Sequence, residues 1–226
     1  MRKKVLFVLP ILFFFQINSA LAIPGFKEYR VRPGDTLFKI FKKELSGFNQ
    51  EILDLTLKIN KIDAWHLISG ITIYLPYDIG LARAYCPLPK TCKLLNKHPR
   101  GIFLNLTTQY FGAYEYGKLK FWGPISSGRK GKETPIGNFK AIFKKKNRIS
   151  IKYGVPMLYS IQFSGHYFMH QQSMLGRPAS HGCVRLLLKD AKKLFYWINK
   201  GDPIIIRNNT LAIQISEGFL FNYCTI

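Results

Sequence analysis

Acidic residues are scarce in this chain of 226 residues: 12 Asp and Glu stand against 34 Lys and Arg, a formal charge of +22. That balance excludes a carboxylate-rich surface and favours polyanionic surroundings. Long apolar runs are missing after position 15, so no later stretch approaches the ~20 residues that a transmembrane helix needs. There is no Gly-rich phosphate loop and no paired-carboxylate constellation, which removes nucleotide hydrolysis and two-carboxylate sugar chemistry from consideration. Cysteine is confined to Cys86, Cys92, Cys183 and Cys224. No second Cys pair and no correctly spaced His pair accompanies Cys86 and Cys92, so a zinc site is the weaker reading of that pair. No metal and no cofactor is expected.

What is present begins with a leader pattern. Arg2, Lys3 and Lys4 precede an apolar run from Val5 to Phe15, and Ala20-Leu21-Ala22 supplies small residues for cleavage. Residues 1–22 are therefore expected to be a signal peptide and the protein to be exported. An exported chain meets wall polymers and anionic head groups rather than nucleic acid, so nucleic acid is not the expected partner.

Residues 27–77 read as a small module of strand, two helices and strand. Tyr29-Arg30-Val31 alternates, Pro33-Gly34-Asp35 turns and caps, Leu37, Ile40 and Phe41 share a helical face, and Ile52, Leu55 and Ile59 share a second. Ile71-Thr72-Ile73-Tyr74-Leu75-Pro76 closes the unit as a strand. Residues 78–100 form a connector in which Cys86 and Cys92 flank Pro87 and Pro89; in an oxidising compartment a local disulfide between them is expected. From 101 to 207 short strands punctuated by Gly117, Gly128, Gly131 and Gly137 predict a mostly antiparallel sheet, with His166 to His170 as one strand. A helix is expected from Leu188 to Lys200 and a closing strand at Pro203–Arg207. The tail, 208–226, has no assigned role. The fold class is α+β.

The chemistry concentrates in Ser180-His181-Gly182-Cys183-Val184-Arg185-Leu186, with His170 upstream. A thiol of pKa about 8.5 becomes a useful nucleophile when a neighbouring base or cation favours its thiolate. His170 and His181 are both candidates. Gly182 permits a sharp turn and suits a loop whose amides face a developing oxyanion. Residue types alone leave a second reading open: Cys183 in a structural disulfide, with Cys224 as the rival partner, the histidines as satisfied packing residues, and Arg185 in an ion pair.

The run Gly176-Arg177-Pro178-Ala179-Ser180-His181-Gly182-Cys183-Val184-Arg185-Leu186 resembles the signature of the L,D-transpeptidase catalytic domain. Pro156-Met157 with Tyr159 and Ile161, and Ser127-Gly128 followed by Thr134-Pro135-Ile136-Gly137, are similar to the same family. Gln171 follows His170 where many members carry glycine. The resemblance implies a β-sandwich-like catalytic domain over 101–207, Cys183 as nucleophile and His170 as proton donor and acceptor. It also implies His181 and Gly182 in the catalytic loop, and Ser180 and Arg185 at the substrate. The implied reaction is attack on the third residue of a peptidoglycan stem peptide, release of D-alanine, and transfer to an amine of another stem or a wall-anchored lipoprotein. Hydrolysis by the same site, or a non-catalytic peptidoglycan-binding role, are the alternatives. Tyr29-x-Val31, Gly34-Asp35-Thr36-Leu37, Asn60 and Gly70 with Ile73-Tyr74-Leu75-Pro76 resemble a lysin motif. That resemblance implies glycan binding and a periplasmic or cell-wall location.

Overall fold

The alternating and capped segments near the start assemble around one small core. In the computed structural model, which describes residues 22–45 and 47–208, strand β1 (Phe26–Arg30) is followed by helices α1 (Leu37–Glu44) and α2 (Gln50–Asn60) and by strand β2 (Thr72–Pro76). β1 and β2 pair antiparallel with Tyr29 opposite Ile73. Thr36, one residue after the expected cap, accepts from the Lys39 N–H at 3.2 Å and starts α1; Asn49 does the same for α2 through Ile52 N–H at 2.8 Å. Asp35 instead braces the turn, accepting from Arg32 N–H and Tyr29 Oη, both at 2.8 Å. Asn60 ties α2 to β2: its amide donates to the Tyr74 carbonyl and its oxygen accepts from the Tyr74 N–H, each at 2.8 Å. Tyr29, Val31, Ile40, Phe41, Ile52, Ile73 and Leu75 are buried between these elements.

The connector holds more structure than its prolines predict. Helix α3 (Ile79–Ala84), capped by Asp78, and a 3-10 turn at Lys93–Leu95 lie within it. Leu88, Cys92 and Leu95 are buried against Phe103, Tyr110 and Tyr114. The expected Cys86–Cys92 disulfide is not formed: Cys86 is a free thiol, while Cys92 is disulfide-bonded. The reason lies in the backbone. Cys92 N–H donates to the Gly117 carbonyl at 2.7 Å and Leu119 N–H to the Lys90 carbonyl at 2.9 Å, which binds this segment to the β-domain rather than folding it back on Cys86. Burial pushes the Cys86 thiol up, and its sulfur lies 3.3 Å from the Leu88 carbonyl. Alkylating the unfolded, unreduced protein and mapping its peptides is expected to label Cys86 and Cys183 and to spare Cys92. Cys86 refusing the label until reductant is added would restore the local bridge.

The β-domain contains strands β3 (Gly101–Asn105), β4 (Tyr110–Glu115), β5 (Lys118–Ser126), β6 (Gly137–Lys140), β7 (Phe143–Ile149), β8 (Pro156–Ser164), β9 (Tyr167–Gln171) and β10 (Val184–Leu186), then helix α4 (Leu188–Trp197) and strand β11 (Pro203–Arg207). They form one nine-stranded sheet in the order β6–β11–β3–β4–β5–β10–β9–β8–β7. Most neighbours are antiparallel; β9 with β10 and β3 with β11 are parallel. The sheet curls until Phe139 of β6 meets Phe163 of β8 edge to face at 5.4 Å, giving the sandwich-like layering over a core of Ile102, Phe111, Ile161, Met169, Val184 and Ile204. α4 packs its Ala191 and Leu194 into that core and ends at Trp197, three residues before the expected Lys200. Lys144 from β7 accounts for the early stop, donating to the Phe195 carbonyl at 2.7 Å and the Ile198 carbonyl at 2.5 Å.

β7 was not legible as a separate strand, because Phe143-Lys144-Lys145-Lys146-Asn147-Arg148-Ile149 has no apolar alternation. Among the described residues it is one outer strand of the sheet, and β6, four residues long, is the other. Among the described residues no helix is long and apolar enough to cross a membrane. The expected leader, save its last residue, the tail beyond residue 208 and Cys224 all lie outside the described residues.

The first module and the β-domain touch directly. Tyr110 Oη donates to the Ile59 carbonyl at 2.9 Å, and Lys58 Nζ sits 3.6 Å over the Trp122 ring.

Candidate active site

A parallel ladder brings the separated residues together. Val184 pairs with Met169, Arg185 with His170 and Leu186 with Gln171. Successive side chains alternate between faces, so Val184, Leu186 and Met169 enter the core while Arg185 and His170 share the opposite face. Cys183, two residues before Arg185, projects toward that face as well. Neighbouring strands lie about 4.8 Å apart and alternate residues about 6.5 Å apart along a strand, so thiol, imidazole and guanidinium occupy adjoining positions. Twelve residues of crossover without a helix connect the two strands.

His170 is 5% exposed, and its Nδ1 lies 2.8 Å from the Gln171 carbonyl. A carbonyl can only accept, so Nδ1 carries the proton and Nε2 keeps its lone pair. Burial, with Arg185 adding to it, lowers the pKa of His170 to about 4, against a stabilising effect of that hydrogen bond. At neutral pH the ring is an uncharged acceptor.

Burial raises the Cys183 thiol above its ordinary value, opposed by the Phe168 N–H, Arg185 and Arg148. The resting pair is therefore thiol and neutral imidazole, with the sulfur 3.8 Å from the His166 carbonyl. Cys183 is a free thiol.

The blocks singled out along the sequence meet around the nucleophile. Ala179 and Ser180 N–H groups both donate to the Ser127 carbonyl at 3.0 Å, and Arg129 N–H donates to the Ser180 carbonyl at 3.0 Å. Thr134 Oγ1 accepts from Gly128 N–H and donates to the Gly182 carbonyl, each at 2.9 Å. Gly128 packs so tightly under this turn that an added Cβ would lie 2.0 Å from the Lys132 carbonyl oxygen. Gly182 sits at φ +113, where a Cβ would lie 2.5 Å from Tyr167.

Ser180 is buried, and its hydroxyl accepts from the Gly182 N–H at 3.0 Å and donates to the Cys183 carbonyl. That places Ser180 as a brace of the nucleophile loop rather than at the substrate, and it commits the Gly182 amide within the loop. His181 is exposed, turned away by the Gly182 bend, and stacks on Tyr153 with centroids 4.9 Å apart. Slight desolvation and then Arg129, Arg185, Lys132 and Lys152 pull its pKa down.

Arg185 donates to the Ser173 carbonyl at 3.3 Å, and among the described residues it has no carboxylate partner. Arg148 was missed by sequence reasoning. Its guanidinium lies 4.5 Å over the Phe168 ring, and its Nε is buried with no hydrogen-bond partner among the described residues. Nothing in the lysine-rich context of β7 distinguishes it. Both guanidiniums favour the Cys183 thiolate, and cations of this kind are suited to holding carboxylates.

Residues 99–206 match the YkuD family, described as the L,D-transpeptidase catalytic domain. Among solved structures the chain is similar to an L,D-transpeptidase from Stackebrandtia nassauensis, at 31% identity, 50% of this chain, 57% of that chain and a TM-score of 0.48. It is also similar to an L,D-transpeptidase from Mycobacterium smegmatis, at 20% identity, 48% and 58% coverage and a TM-score of 0.45. One from Mycobacterium tuberculosis H37Rv gives 20%, 49%, 58% and 0.45 in the same order. The chain thus spans less than two thirds of the length of each. No curated protein matches it.

Proposed function

We propose, from the match of residues 99–206 to the L,D-transpeptidase catalytic-domain family, that this protein is an exported peptidoglycan L,D-transpeptidase acting in the periplasm or cell wall. The observation that carries the proposal is the pairing of Arg185 with His170 on parallel strands, with Cys183 two residues ahead and Nδ1 of His170 tied off by the Gln171 carbonyl.

The Cys183 sulfur attacks the carbonyl of the third residue of a stem tetrapeptide as its proton passes to His170 Nε2. A carbon–sulfur bond forms, and collapse of the tetrahedral species breaks the amide to the terminal D-alanine. His170 returns the proton to that leaving amine. An amine from another stem, or from a wall-anchored lipoprotein, then attacks the thioester, loses its proton through His170 and regenerates the thiol. Arg185 and Arg148 hold stem carboxylates. Gly182 and His181 shape the loop that presents the sulfur. The first module binds glycan, with the cleft of about 550 Å³ bordered by Tyr29, Arg32, Pro33, Glu44 and Gly70 as its candidate groove.

Mass spectrometry of the mature protein with a disaccharide tetrapeptide tests this. The expected products are an acyl-enzyme on Cys183 and free D-alanine, both lost in Cys183→Ala. A cross-linked product reports transfer, and a tripeptide product reports hydrolysis as an L,D-carboxypeptidase. Neither adduct nor product would leave only a peptidoglycan-binding role.

A further inference from the structure

We infer that Asp63, in the first module, is a positioning residue for the active site and sets Arg185 through a single shared peptide group. Asp63 Oδ2 accepts from the Met174 N–H at 2.9 Å. Arg185 Nη1 donates to the Ser173 carbonyl at 3.3 Å. The Ser173 carbonyl and the Met174 N–H are the two ends of one planar peptide unit. A carboxylate and a guanidinium thus grip the same peptide from opposite sides.

The surroundings fix that peptide further. Asp63 N–H donates back to the Met174 carbonyl at 3.2 Å, and Gly176 N–H donates to the Lys61 carbonyl at 3.0 Å. Ile62 and Leu175 form an antiparallel bridge, and Met174 and Ile62 are buried. The carboxylate is itself oriented, since Oδ1 accepts from Trp65 N–H at 3.0 Å and lies 2.6 Å from His66 Nδ1. The contacts to Ser173, Met174, Leu175 and Gly176 fall in the crossover between His170 and Cys183, so the first module grips the segment that joins base to nucleophile.

Hydrogen bonds in series polarise one another. A carboxylate on the N–H end makes the carbonyl a stronger acceptor, and Arg185, which has no carboxylate partner among the described residues, receives an anion's pull at one remove. Without Asp63 the guanidinium loses its anchor and its place beside Cys183.

The test compares alkylation of Cys183 by iodoacetate and by neutral iodoacetamide, with Cys86 labelling excluded by peptide mapping. A guanidinium held near the sulfur favours the anionic reagent. In Asp63→Ala the iodoacetate-to-iodoacetamide rate ratio is expected to fall roughly threefold, an effect of moving one screened charge by a few Å. Deleting a negative charge without moving Arg185 has the opposite sign and raises the ratio. Asp63→Asn, which keeps an acceptor for the Met174 N–H, restores it. Asp63→Leu replaces the alanine variant should that one unfold before assay. In the double variant Asp63→Ala/Arg185→Ala the ratio does not fall below that of Arg185→Ala, because the loss caused by the first change acts through the second. A ratio that is unchanged or raised in folded Asp63→Ala, or a further fall in the double variant below Arg185→Ala, overturns the inference.

A rise in KM for the stem peptide with kcat within twofold is the kinetic counterpart, and only that part rests on the transpeptidase reading. If the native protein turns over no peptide, that reading fails while the alkylation ratio still decides the role of Asp63.

Discussion

His170→Ala slows acylation of Cys183 by ~10²–10⁴, the usual range for loss of a general base. The chain of causes starts with the Gln171 carbonyl, which keeps the proton on Nδ1. It continues with burial, which keeps the ring neutral down to about pH 4. Burial also holds Cys183 in its thiol form, so the sulfur needs a nearby acceptor at the moment of attack. Removing that acceptor moves the pH profile of iodoacetamide alkylation upward, whereas His181→Ala leaves it near its original position. A profile that moves with His181 and not with His170 would reverse the two assignments. The same burial predicts a stability effect. The unfolded imidazole titrates near 6.5 and the folded one at about 4, so between these values the unfolded chain binds the extra proton. Stability from this site is intact above pH 6.5 and falls by about 3 kcal/mol as pH drops toward 4. Denaturant unfolding of the native protein and of His170→Asn across that window should show the extra slope only in the former.

Gly182→Ala is expected to reduce acylation about 10²-fold, the scale of loss for a reactive group displaced by about 1 Å. Two penalties coincide there. The backbone sits at φ +113, which an L side chain adopts only under strain, and the added Cβ would lie 2.5 Å from the Tyr167 ring. Relief requires the loop to move, and the next residue is the nucleophile. Gly201→Ala separates strain from displacement: φ is +92, but no atom lies within 4 Å of the added Cβ. Strain of about 1–3 kcal/mol should lower Tm in both variants, by roughly 4 °C per kcal/mol in a domain of about 100 residues. Only Gly182→Ala should lose acylation. Equal losses in both would show that backbone strain, rather than crowding against Tyr167, controls the site.

Local chemistry was the legible part. The strand–helix–helix–strand order of the first module, the strand ending near His170 and the helix after Cys183 all follow from apolar spacing and caps that act within a few residues. The partnership of β9 with β10 did not follow, because parallel pairing is decided by the sheet and leaves no mark on either strand's pattern. Arg148 was hidden for a related reason: between Phe143 and Ile149 β7 is entirely polar, so neither its strand character nor the inward turn of one guanidinium shows in its composition. Ser180 was read by its place in a motif, yet its hydroxyl is spent on the Gly182 amide and the Cys183 carbonyl. The free Cys86 was misread because two cysteines six positions apart invite a loop, whereas the backbone pairing of Cys92 with Gly117 is a long-range contact.

The open sides of the curled sheet bear on how copies of this protein coexist. A strand with one unpaired flank is a template on which another chain's strand can grow into a fibril. Among the described residues one such flank is only four residues long, and the other carries the exposed Lys145 and Lys146. Two copies approaching through β7 meet like charge against like charge, so the run of lysines that obscured the strand opposes edge-to-edge pairing.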